Sequence, residues 1–306
     1  MKHGTTMTHS TLAVFVIALG AWAHVLAEGD ATVAALPPPQ SEAFQQDLAW
    51  SPDGLWIAFS EHTAEGESRS DRWAIHIIGA DGAGRRLLVD NAQFVSWSPD
   101  GKKLAFGALR DGDWNIYTAN TDGTGLTRLT DSKGKNQHPA WSPKGDRIAF
   151  SSDRDGSRAI YVMAPDGSQM VRLTNTPAKD FNPSWSPDGS RLVFFREKGD
   201  HKDQIHVVTA DGARESPVTQ DDANHIFPSF LPDGPIAFAS HKEGAPKSLV
   251  CVAPDGTSPQ TISGVTGFFA RWSPDGRRIA FVSGAWPRTA IYLANADGTN
   301  VRKLVN

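Results

Sequence analysis

Cysteine is nearly missing: Cys251 is the only one in 306 residues, which excludes an intrachain disulfide framework and any multi-cysteine zinc or iron–sulfur site. An excess of basic charge is missing too. Thirty Lys and Arg stand against 34 Asp and Glu, a net charge of −4, so the broad cationic surface of a general nucleic-acid binder is excluded. Beyond residue 30 there is no sustained helical periodicity and no apolar run of membrane-spanning length. Catalytic signatures are lacking as well: there is no Gly-x-Ser-x-Gly elbow, no His-Glu-x-x-His, no phosphate-cradling glycine loop opening a helix, and no calcium-loop pattern. Turn formers, by contrast, are plentiful, with 28 Gly and 20 Pro, and ten Trp can anchor a sizeable core.

The one long apolar stretch, Leu12 to Ala27, follows Lys2 and the amino terminus. A weakly positive start, an apolar run and small residues before a polar shift are the order of a secretory signal. Cleavage fits after Ala23 or, preferably, after Ala27, directly before Glu28-Gly29-Asp30. Residues 1–27 are therefore expected to be a signal peptide, and 28–44 an extended linker stiffened by Pro37-Pro38-Pro39. The protein is expected to be exported, periplasmic or extracellular. An uncleaved signal anchor is the alternative and the only direct membrane contact foreseen; no Cys follows the run to carry a lipid there.

Six repeats occupy residues 45–306. Trp50, Trp97, Trp141, Trp185, Phe230 and Trp272 open units spaced by 47, 44, 44, 45 and 42 residues, a period that signals a propeller or solenoid. A turn follows each aromatic, as in Ser51-Pro52-Asp53-Gly54 and Ser98-Pro99-Asp100-Gly101. Proline presets φ, Asp bonds its own backbone, and Gly accepts the left-handed exit. Next comes an apolar triplet such as Ile57-Ala58-Phe59 or Ile148-Ala149-Phe150, then a third strand such as Ile116-Tyr117-Thr118. An Asp-Gly hairpin, for example Asp166-Gly167, recurs in every unit and leads to a closing strand such as Val171-Arg172-Leu173-Thr174. Four antiparallel strands in each of six units make an all-β fold, a six-bladed β-propeller. The strand ending in the anchor aromatic is expected innermost, with the aromatic packed between blades. No strand exchange between the termini is visible unless Thr32–Leu36 adds an edge, so packing between blades is expected to close the ring.

The unit Trp-Ser-Pro-Asp-Gly, Ile-Ala-Phe, Ser-Asp-Arg-Asp-Gly (152–156), Ile-Tyr, Asp-Gly, Arg-Leu-Thr resembles the repeat of the TolB β-propeller family. The resemblance covers roughly residues 45–306. It implies a periplasmic protein, a part in the envelope-spanning Tol–Pal system, and binding of the peptidoglycan-associated lipoprotein by the propeller. The α/β domain that precedes the propeller in TolB has no counterpart in residues 28–44. Related propellers also gate prolyl-type peptidases or act as pectin-fragment lyases, so the fold alone leaves the function open.

Candidate functional residues gather where loops feed the inner strands of blades three to five, at the channel mouth. His138, Asp180, Asn182, Asp222 and His225 stand there and are expected to contact a ligand or partner. Asp180 and Asp222 are candidates for a cation site; no other cofactor is expected. Arg271 is a further candidate: Ala49, Ser96, Ala140, Ser184 and Ser229 hold its position in the other units. A lone Arg in a column of small residues needs room and an acceptor, either a neighbouring Asp or an anionic group in the channel. The charged loops Glu61–Arg72, Glu197–Asp203 and His241–Lys247, with Trp73, Trp114 and Trp286 at or beside such loops, form a possible protein-binding rim. The expected function is that of a non-enzymatic scaffold, a monomer, binding an envelope protein, peptide or lipoprotein. The alternative is a carbohydrate- or uronate-processing enzyme using the mouth His and carboxylates.

Overall fold

The computed structural model describes residues 43–63, 72–131, 134–243, 247–285 and 288–305. The expected signal peptide, most of the expected linker, Thr32–Leu36 and Trp286 lie outside them. Six four-stranded antiparallel sheets follow one another along the chain, each built from four consecutive strands. Blade 1, for example, runs Ala43–Trp50, Trp56–Thr63, Arg72–Gly79 and Arg86–Asp90. No helix occurs among the described residues.

The repeat explains the blade. Ser51 Oγ donates to Asp53 Oδ1 at 2.5 Å and accepts from the Trp56 amide at 2.9 Å, so the turn after the anchor aromatic is held by its own side chains. Where Lys144 replaces that Asp in blade 3, Ser142 Oγ turns instead to Asp146, at 2.7 Å. The Ile-Ala-Phe triplet forms the second strand, whose residues alternate between two faces that are both buried. Ile148 and Phe150 pack toward blade 2, while Ala149 between them faces blade 3's other neighbour, blade 4. The core is accordingly divided into six wedges, one between each pair of adjacent blades. Phe59, Phe106, Phe150, Phe194, Phe238 and Phe281 form a fully buried column around the ring.

The anchor Trp residues stitch blades together, as expected from their recurrence. Trp97 Nε1 donates to the Ala49 carbonyl at 3.1 Å, and Trp185 Nε1 to that of Ala140 at 2.9 Å, each in the preceding blade. Trp50 does the same across the ring seam, reaching the Arg271 carbonyl of blade 6 at 2.9 Å. Closure involves no exchanged strand among the described residues. Instead the Gln45 amide donates to Thr289 Oγ1 at 2.7 Å, and Arg302 Nη2 donates to the Ala80 carbonyl at 2.7 Å. Phe44 and Phe268 stack across the same seam, with ring centroids 6.4 Å apart.

Every innermost strand carries a β-bulge three residues before its anchor aromatic. In blade 1 the pairing skips from Gln46–Ser60 to Ala49–Ala58, so Asp47 and Leu48 together oppose Phe59. The bulged residues are Asp47, Phe94, His138, Asn182, Phe227 and Phe269, all with φ between 51° and 62°. A left-handed backbone is tolerable for Asp, Asn and His but unusual for Phe. Its repetition shows that the bend is imposed by the blade. Bulges re-aim side chains, and here they form a ring about the propeller axis.

Candidate functional site

Between the bulge ring and the Trp-Ser-Pro turns the channel widens into a cavity of about 550 Å³. Anchor aromatics and turn prolines from all six blades form its rim. Its polar wall comes from Asp47, His138, Asn182 and Arg271.

Arg271 stands in the last blade, beside the seam. Its Nη1 donates to the Ala270 carbonyl at 2.9 Å, and burial lowers its pKa to about 10, with the charge of Asp47 acting in the opposite direction. Asp47, on blade 1, is the neighbouring carboxylate that the lone Arg required. Burial pushes its pKa up to about 7; the Arg271 charge is the largest of the effects that oppose this. The two groups act on each other electrostatically. Asp47 Oδ2 has no hydrogen-bond partner, and neither has Asn182 Oδ1 on the opposite side of the ring. Both residues are 7% exposed.

His138 is the fourth polar member. Its Nδ1 lies 2.9 Å from Ser151 Oγ, and that hydroxyl lies 3.1 Å from the Gln137 carbonyl. Since the carbonyl can only accept, the hydroxyl proton goes to it and His138 Nδ1–H donates to Ser151. Burial, helped by the charge of Arg158, holds the imidazole pKa well below its ordinary value, so the ring is neutral at neutral pH. It packs against Phe94 with ring centroids 4.1 Å apart.

The sequence-derived candidates thus divide. His138, Asn182 and Arg271 share the cavity, whereas Asp180, Asp222 and His225 are not in its wall. Asp180 sits directly opposite Arg196 in the sheet register, and both its oxygens are engaged by that guanidinium, at 2.7 and 3.0 Å. His225 is buried, with Nε2 2.8 Å from Asp221 Oδ1 and its ring edge-on to Phe238. Asp222 is 79% exposed, its nearest cation being Lys202 at 3.6 Å. The two cation candidates therefore have separate partners. Among the described residues no three His, Cys, Asp or Glu side chains assemble into a metal-binding group. Trp73 packs on Phe44 and His62, and Trp114 on Phe94, so both serve blade packing.

Sequence reasoning missed Asp47. The signal was present: it stands three residues before Trp50, as His138 and Asn182 stand before Trp141 and Trp185.

Six four-stranded blades around a cavity with a polar wall define the molecule as a six-bladed β-propeller. The family model of the TolB beta propeller domain matches residues 40–268 and 173–306. The chain belongs to that family. A solved structure from Agrobacterium tumefaciens, described as a TolB, is 25% identical, with a TM-score of 0.66, over 76% of this chain and 87% of that one. An uncharacterised protein of Agrobacterium fabrum is 36% identical over 95 residues, 30% of this chain and 31% of that protein. The Tol-Pal system protein TolB of Xanthomonas campestris is 30% identical over 80 residues, 25% of this chain and 18% of TolB. The matched stretches thus span less than a third of the length of these two curated relatives.

Proposed function

We propose that the chain is an exported scaffold of the TolB propeller type, which binds an envelope protein, peptide or lipoprotein and performs no covalent chemistry. The observation that carries this reading is the channel cavity, where the Arg271 guanidinium and two acceptors without hydrogen-bond partners, on Asp47 and Asn182, lie within an aromatic and proline rim. Such a surface suits a protruding loop or chain end of a partner: aromatic walls supply contact area and a few buried polar groups supply orientation. Membership of the TolB propeller family supports a Tol–Pal-related binding role of this general kind. A periplasmic address follows the same likeness and the signal-like first 27 residues.

The test is site-specific photo-crosslinking from Ser184 in the cavity wall, in the native envelope. A discrete adduct, displaced by excess unlabelled chain and weakened about thirtyfold or more by Arg271→Gln, is the expected result, since losing a buried charge contact at an interface commonly costs about 2 kcal/mol or more. Only background labelling, or an adduct indifferent to the Arg271 change and to competitor, overturns the reading.

A further inference from the structure

Pseudo-sixfold symmetry separates scaffold from specificity. At the bulge position Phe stands in blades 2, 5 and 6, whereas blade 1 has Asp47, blade 3 has His138 and blade 4 has Asn182. Immediately before the anchor aromatic five blades carry Ala or Ser, and blade 6 carries Arg271. Ring packing explains the repeated residues. It does not explain the four departures, all of which line one cavity.

Their chemistry is complementary to one kind of ligand. Asp47 Oδ2 and Asn182 Oδ1 are acceptors without partners on side chains more than nine-tenths buried. A buried acceptor left unsatisfied costs about 1–3 kcal/mol, so a donor supplied by a ligand would be strongly favoured there. Arg271 presents a planar fork of donors, of which Nη1 bonds the Ala270 carbonyl. A ligand with only a carboxylate could satisfy Arg271 but would meet Asp47. One with only an ammonium could satisfy Asp47 but would meet Arg271. Neutral His138 adds no charge to either side. A cavity of about 550 Å³ is of small-ligand size.

We propose that the channel binds a small zwitterion of the amino-acid or oligopeptide class, its ammonium against Asp47 and its carboxylate against Arg271, with Asn182 across the ring accepting from a further donor of the ligand. The inference does not depend on an envelope partner and is tested without one. The purified chain is titrated with glycine, glycylglycine, acetate and ethylammonium at matched ionic strength, by calorimetry and by tryptophan fluorescence, since five Trp line the cavity. At least one zwitterion is expected to bind saturably and about tenfold or more tighter than acetate or ethylammonium. Arg271→Gln and Asp47→Asn are each expected to remove that advantage. Tighter binding of glycylglycine assigns the peptide source, and equal or tighter binding of glycine assigns the free amino acid. If neither zwitterion saturates the wild-type chain in the millimolar range, or acetate alone binds as tightly, the proposal fails. These wild-type comparisons stand even if a variant does not fold.

Discussion

Asp47 shows what a single residue contributes to the balance of the whole chain. Its carboxyl is held near 7 against an ordinary 3.8, chiefly by burial. Over that interval the folded state keeps a proton that the unfolded chain has released. The associated stability is fully present below about pH 4 and is lost as pH rises through about 7. Asp47→Asn cannot lose a proton. We therefore expect the wild type to lose about 2–3 kcal/mol more than the variant between pH 5 and 8. Urea unfolding at both pH values measures this, and equal losses would show that Asp47 titrates normally. Arg271 was legible in the sequence as the one large residue in a small-residue column. Its acceptor was not, because Asp47 and Arg271 are 224 positions apart and only ring closure makes them neighbours.

At the scale of the element, the Asp-Gly hairpins have two reasons for their glycine. Gly167 has φ of 87°, and a Cβ there would lie 2.5 Å from the Leu129 carbonyl in the preceding blade. Gly156 has φ of 104°, but a Cβ there would meet nothing within 4 Å. Gly156→Ala should cost roughly 1–2 kcal/mol for its backbone conformation alone. Gly167→Ala should cost about 2–4 kcal/mol, because the neighbouring blade must also shift. Equal costs in equilibrium unfolding would remove the close approach as a cause. Strand positions, turn types and the inward place of the anchor aromatics all followed from local spacing. The bulge ring did not: three of its members are Phe, for which a left-handed backbone has no local signature, and it is pairing with the second strand that forces the extra residue.

For the whole molecule, the seam between blades 6 and 1 is where the ring closes, with no exchanged strand among the described residues. Thr289 is fully buried there and accepts the Gln45 amide. Thr289→Val preserves shape but removes the hydroxyl that bonds Gln45 across the seam, so a loss of about 1–3 kcal/mol is expected. Urea unfolding checks it; a change within error would mean that apolar packing around Phe44 and Phe268 closes the ring unaided. The sequence by itself determined the all-β class, six blades, four strands in each and the place of every tight turn. These depend on contacts within about 45 residues, and six copies repeat the same statement. Tertiary structure alone decided which polar residues meet. Arg271 came beside Asp47 across the seam, and His138 and Asn182 of two further blades joined them in one cavity wall. The physical reason is that blade geometry is local and repeated, whereas the channel wall is assembled once, from single residues of different blades brought together only when the ring closes.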